Sequence, residues 1–258
     1  MERDSSVILL VDIGNSRIKW ATWHKDKLDH RGDAWRGKDK ESTAADLEQH
    51  WRKLKKPGAV LASNVAGPEY AEALSAWTLE HWQIQPRFVV AQRHACAVTN
   101  AYTTPERLGA DRWAALIAAR HYADGAACIV DAGTAVTIDV LASRGIHQGG
   151  LIIPGLSMMR RALLEQTQGI LPAGATPATG DISLLARDTQ NGVNGGTLYT
   201  LVAVIDRVVA DIGTELGVPL TRIITGGDAA ALLPLLAGHY HHYPDLVLQG
   251  LAIIAEES

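Results

Sequence analysis

Cysteine is nearly absent from this chain: 258 residues contain two, Cys96 and Cys128, far apart and outside any Cys-x-x-Cys pair. That scarcity excludes a disulfide framework and a cysteine-ligated zinc site, and it fits a reducing compartment, so a cytoplasmic protein is expected. No charge sign dominates. Lys plus Arg total 24 and Asp plus Glu 28, a net charge of −4, so neither nucleic acid nor an anionic membrane is expected as a partner. Long apolar runs are missing as well. Val7 to Val11 stops at Asp12, too short for a signal-peptide core, and nothing later approaches the ~18 residues that span a bilayer. Phenylalanine occurs once against seven tryptophans, so Trp20, Trp23, Trp77 and Trp113 are expected to supply core or interface bulk. Two nucleotide signatures are lacking. Without GxxxxGKS/T the chain is not a P-loop enzyme, and without GxGxxG after a strand a dinucleotide fold reads poorly.

What is present reads as a globular α/β protein. Hydrophobic residues make up 47% and charged residues 20%, and the length suits two modest domains. Val7 to Val11 reads as a strand buried on both faces, and Arg17 to Trp23 as its antiparallel partner across a tight turn. A helix is expected over Thr43 to Leu54, a strand over Ala59 to Val65, a helix over Pro68 to Trp82 and a strand near Arg87 to Ala91. Another helix over Trp113 to Tyr122 suits core or interface. The chain then repeats itself: Val130-Asp131-Ala132-Gly133-Thr134 reproduces Val11-Asp12-Ile13-Gly14-Asn15 at an offset of 131 − 12 = 119 residues. The duplication predicts two similar α/β domains, 1–120 and 121–258. The second half reads as a helix over Leu156 to Gln166, a loop over Gly169 to Gly180 and helices near Thr197 to Glu215. A strand over Arg222 to Thr225 and an Ala/Leu helix follow. His239-Tyr240-His241-His242-Tyr243 has no Cys or carboxylate cluster beside it and reads as a loop or short strand, not a metal tract.

Asp-x-Gly at a strand-to-strand turn has a physical use. Glycine admits a ligand close to the backbone, neighbouring N–H groups serve as phosphate donors, and the carboxylate can hold a cation that offsets phosphate charge. A lone copy is the commonest way to close a hairpin. Two matched copies could grip both ends of a phosphate tail. Thr225-Gly226-Gly227-Asp228, between a strand and a helix, would suit close approach to a flat adenosine group, or is a tight turn.

Two Asp-x-Gly turns and a late Gly-Gly resemble the superfamily of acetate kinase, sugar kinases, actin and chaperone ATPases. Within it, Asp12-Ile13-Gly14-Asn15-Ser16, Gly109-Ala110-Asp111-Arg112 and Asp131-Ala132-Gly133-Thr134 are together similar to type III pantothenate kinase, in order and spacing, over nearly the whole chain. The resemblance implies two ribonuclease H-like domains, each a mixed central sheet flanked by helices. It also implies ATP-dependent phosphorylation of pantothenate to 4′-phosphopantothenate, the first step of coenzyme A biosynthesis, with Mg²⁺ and a potassium or ammonium ion, in a homodimer. Asp12, Ile13, Gly14, Asn15, Ser16, Arg17, Ile18 and Lys19 then form the first phosphate loop. Asp131 binds the monovalent cation and Thr134 contacts ATP. Tyr102, Gly109, Ala110, Asp111, Arg112 and Thr189 contact the substrate, with Asp111 as catalytic base. Two alternatives stand beside it: another small-molecule kinase of the superfamily, or a non-enzymatic transcriptional accessory protein on the same fold.

Overall fold

A computed structural model of the chain describes residues 7–36, 47–167 and 184–257. They form two mixed sheets flanked by helices, in two compact units. Unit 1 comprises residues 1–124, 144–148 and 245–258, and unit 2 comprises 125–143 and 149–244.

The sheet of unit 1 contains β1 (Ile8–Ile13), β2 (Arg17–His24), β3 (Lys27–Trp35), β4 (Ala59–Asn64) and β5 (Arg87–Phe88), in the order β3-β2-β1-β4-β5. β1 runs antiparallel to β2 and parallel to β4. This central position explains why Leu9, Leu10 and Val11 are all fully buried: a strand covered on both faces needs apolar side chains at consecutive positions. Leu9, Val11 and Ile13 share one face with Val60 and Ala62. That face packs against α1 (Pro68–Trp82) and the helical residues 47–51 through Trp20, Trp51, Trp77 and Trp82, whose rings meet edge-on or stacked. Asp12 therefore points to the opposite face, because strand side chains alternate. The expected helix over 43–54 is described only from residue 47. A short hairpin, β6 (His94–Ala95) and β7 (Val98–Thr99), precedes α2 (Ala110–Tyr122).

Unit 2 repeats the plan. β8 (Ala126–Ala132) pairs antiparallel with β9 (Ala135–Ala142) and parallel with β11 (Leu220–Thr225). Between them lie β10 (Ile146–Pro154), α3 (Leu156–Gln166) and α4 (Thr189–Leu216). After β11 come α5 (Ala229–Leu232) and β12 (His241–His242). The order β10-β9-β8-β11-β12 is that of β3-β2-β1-β4-β5, strand for strand. The first residues of β10 belong to unit 1, where Ile146 pairs with Thr99. α4 starts eight residues before the expected Thr197. Glycines 192, 195 and 196 weaken the helical pattern, but the Asp188 side chain accepts a 2.9 Å bond from the Asn191 N–H and caps the helix. The loop expected over 169–180 lies outside the described residues.

The chain then returns to unit 1 as α6 (Leu246–Glu256), which packs on α2, β1 and β4. Trp113 through Ala119 are buried, so the helix allowed as either core or interface is core within the chain. Burial pushes the thiols of Cys96 and Cys128 up to about 12, which leaves neither as a thiolate nucleophile.

Candidate active site

The first Asp-x-Gly turn closes β1 onto β2. Gly14 donates its N–H to the Arg17 carbonyl at 3.0 Å, directly after the last ladder pair, Ile13 with Ile18. Ile13 and Ile18 are buried anchors; Asn15 and Arg17 are exposed; Asp12, Gly14, Ser16 and Lys19 are half-buried. Arg17 is committed elsewhere: its Nη1 donates to Asp33 Oδ2 at 2.6 Å and its guanidinium lies over the Trp35 ring. Lys19 stands opposite both Asp12 and Asp33 in the ladders. Arg36 donates from Nε to the Asn15 carbonyl at 2.8 Å, which pins the loop from outside.

α2 opens at Gly109 as N-cap, followed by Ala110, which is buried, and Asp111 in the first turn. A helix N-terminus favours negative charge. Asp111 Oδ1 accepts the Arg112 N–H at 2.7 Å. A side chain at position 109 would run into that carboxylate, so glycine is what lets Asp111 fold back over its own helix end. Arg112, only 7% exposed, donates from Nη1 to the Tyr102 hydroxyl at 2.9 Å. The structure thus brings together two of the substrate positions named from sequence, Tyr102 and Arg112, within unit 1.

Sequence reasoning missed what holds Tyr102. Asn100 is buried; its Oδ1 accepts the Tyr102 N–H at 3.0 Å and its Nδ2 donates to the Pro105 carbonyl at 3.2 Å. Arg93 donates to the carbonyls of Asn100 and Thr103. Buried His147, from the first residues of β10, stacks on Tyr102 with ring centroids 6.2 Å apart. An Asn two residues before a turn is a readable signal; a histidine 45 residues downstream gives none.

In unit 2 the second turn is one residue tighter, with the Gly133 N–H donating to the Ala135 carbonyl at 3.1 Å. Asp131 and Thr134 are half-buried. Gly155, the N-cap of α3, donates to the Thr134 carbonyl at 3.0 Å, and a Cβ there would overlap the carbonyls of Gly133 and Thr134. Gly226 sits at φ +96 and a side chain would strike the Ala132 backbone, while Asp228 donates its N–H to the Ala132 carbonyl at 2.9 Å. Three glycines therefore crowd one turn; of these, Gly226 falls in the Thr225–Asp228 stretch that the sequence offers as an adenosine approach or a tight turn. Such a bare backbone suits phosphate approach. Arg160 was not anticipated. Its Nε donates to Thr197 Oγ1 at 3.1 Å; burial lowers its pKa, and the Asp228 carboxylate raises it in opposition. Thr189 is exposed, at the first position of α4. Among the described residues no three His, Cys, Asp or Glu side chains group as metal ligands, the histidines of 239–243 included. A divalent ion here has to take much of its coordination from water and bound phosphate, as Mg²⁺ commonly does. A separate groove of about 740 Å³ between α3 and α4 is lined by residues such as Met158, Leu163, Val193 and Thr200. Among the described residues its lining holds no ionisable side chain.

The family model for type III pantothenate kinase matches residues 8–211. The type III pantothenate kinase of Nitrosococcus oceani is 47% identical over 257 residues, covering 98% of this chain and 95% of that one. Its counterpart in Nitrosomonas eutropha is 40% identical over 261 residues, with the same coverage of 98% and 95%. Among solved structures, a ROK family glucokinase from Streptomyces griseus, in complex with glucose and AMPPNP, matches with a TM-score of 0.53 at 12% identity. It covers 98% of this chain and 100% of that one, a likeness of fold that sets the two sheets among paired ribonuclease H-like domains. No described helix is long and apolar enough to cross a membrane. By the family model and by relatives matched over nearly its full length, the chain belongs to the type III pantothenate kinase family.

Proposed function

We propose that this protein transfers the γ-phosphoryl group of ATP to the primary hydroxyl of pantothenate, giving 4′-phosphopantothenate for coenzyme A synthesis in the cytoplasm. Beyond family membership, the observation that carries the reading is the coupling of the Gly109–Arg112 helix start to Tyr102 through a 2.9 Å hydrogen bond. It ties a phenol from the preceding segment to the helix start that carries a carboxylate and a guanidinium, all within unit 1. Asp111 orients the attacking hydroxyl and accepts its proton. Arg112, a planar donor, suits the carboxylate or another anionic group of the substrate. Tyr102 and Gly109 shape that pocket; Thr189, the first residue of α4, is a further substrate contact by family resemblance alone.

Phosphoryl transfer needs positioning and charge neutralisation more than covalent help. The turns Asp12 to Lys19 and Asp131 to Thr134 supply N–H donors and carboxylates for that purpose. Their oxygen-rich donor set fits hard cations: Mg²⁺ bound with ATP, and a potassium or ammonium ion at Asp131. Such ions supply charge neutralisation at the phosphates when bound. The halves 1–120 and 121–258 are proposed as the duplicated domains, and the functional species as a homodimer; family resemblance supports the latter. A purely regulatory protein would have no use for Asp12, Asp111 and Asp131 together.

A coupled ADP-release assay tests the reading, with pantothenate set against a panel of sugars and acids. Pantothenate-dependent turnover that falls about 10²-fold or more in Asp111→Asn is expected, with ATP affinity little changed. Turnover on a sugar but not on pantothenate, or an Asp111→Asn variant of unchanged kcat, would overturn it.

A further inference from the structure

The two sheets share more than strand order. On β4, Ser63 is the register partner of Asp12, and on β11, Thr225 is the register partner of Asp131. Both hydroxyl residues are buried, at 0% and 2% exposure. The duplication therefore repeats a buried hydroxyl beside each motif aspartate. Register partners on neighbouring strands lie about 4.8 Å apart and present the same face. Ser63 thus shares the Asp12 face of the sheet, away from the tryptophans. Its strand also leads to the start of α2: Val65 Cγ1, just past the end of β4, comes within 3.7 Å of where a side chain on Gly109 would begin.

Ser63 Oγ has no hydrogen-bond partner among the described residues. Proteins rarely leave a buried hydroxyl unpaired, and an alanine would fill this place without that penalty. We propose that Ser63 is a catalytic residue whose hydroxyl donates a hydrogen bond to a non-bridging oxygen of the phosphoryl group in transfer. The proposal rests on the kinase reading above and adds one donor to it. During transfer the bond from phosphorus to the ADP oxygen breaks as the bond to the substrate oxygen forms, and charge spreads over the three equatorial oxygens. Ser63 keeps its own proton throughout; the proton of the attacking hydroxyl goes to Asp111. A fixed donor facing that charge lowers the barrier without binding the substrates more tightly.

The test compares the full-length wild type with Ser63→Ala and Ser63→Thr, the latter placing at 63 the residue found at 225. Ser63→Ala is expected to lose at least about 10-fold in kcat, with the KM for pantothenate within threefold and a ligand-free Tm unchanged or raised, because the deleted hydroxyl had no partner. It should also weaken binding of ADP with aluminium fluoride and pantothenate, a mimic of the group in flight, while leaving ADP alone unaffected. Ser63→Thr should retain most of both. Wild-type kcat in Ser63→Ala overturns the proposal, and so does a loss of kcat accompanied by a lower Tm, which marks a structural residue. A wild type that does not phosphorylate pantothenate overturns the kinase reading instead, and binding of ADP with aluminium fluoride, without pantothenate, then decides Ser63 by itself: loss in Ser63→Ala alone supports the donor, and equal binding by wild type and both variants overturns it.

Discussion

Arg112 illustrates how a charged side chain is kept in a nearly closed environment. Its guanidinium is buried on the first turn of α2, held by the Tyr102 hydroxyl and lying 5.7 Å from the Tyr102 ring centre. A phenol offers both an acceptor and a π-face to a cation. Tyr102→Phe keeps the face and removes the acceptor, which leaves one guanidinium donor short of a partner at a cost of about 1–3 kcal/mol. That cost should fall on substrate binding: the KM for pantothenate is expected to rise about 10-fold, with kcat changed no more than a few-fold, in steady-state kinetics. Equal losses in kcat and in ATP affinity would instead mean that Tyr102 supports the fold at large. The geometry of Asp111 has a comparable local origin, since only glycine at 109 leaves room for its carboxylate to turn back onto the helix end.

At the scale of elements, the hairpin between β6 and β7 sets the start of the segment that presents Tyr102. Its two central residues, Cys96 and Ala97, both have positive φ, 49° and 58°. That is the geometry of the primed turns, which favour Asn and Gly over residues with an unhelpful Cβ. Ala97→Gly should relieve about 1 kcal/mol and raise Tm by roughly 2–4 °C, measured by calorimetry; a lower Tm would mean that the Ala97 methyl packs usefully. Composition could not have located this turn, because neither residue is a turn former. The same blindness hid β3, whose Lys27-Leu28-Asp29-His30-Arg31 pattern is too polar to read as a strand until it is seen lying at the sheet edge next to β2. The central strands β1 and β8, by contrast, were legible from apolar runs alone, as was α1 at both ends. The motif turns were legible because they recur. Asn100 gives a local turn signal, whereas His147 and Arg160 give none, because each acts through a contact between segments that a linear pattern does not encode.

At the scale of the whole molecule, unit 1 is assembled from both ends of the described chain. α6 crosses α2 where Gly250 meets the Ala114 carbonyl so closely that a Cβ would overlap it. Polar ties reinforce the contact: Trp23 Nε1 donates to Glu256 Oε1 at 3.0 Å, Arg31 Nε to Asp245 Oδ2 at 2.8 Å, and the Cys96 N–H to Glu257 Oε2 at 3.1 Å. Gly250→Val should therefore force the two helices apart at a cost of about 1–3 kcal/mol. Hydrogen exchange should show faster opening in β1, β4 and α2, while β8 and β11 keep their protection; uniform loss in both sheets would mean that the two units melt as one. A further consequence concerns synthesis at the ribosome. Domains generally fold as units while the chain emerges, but residues 246–256 leave the tunnel after every strand of unit 2. The sheet of unit 1 thus waits, with the Leu10 and Leu61 side of its central strands lacking α6, until every strand of unit 2 has been made. The sheet of unit 2 can close first, and the nascent strands of unit 1 are the ones that would need shielding by chaperones.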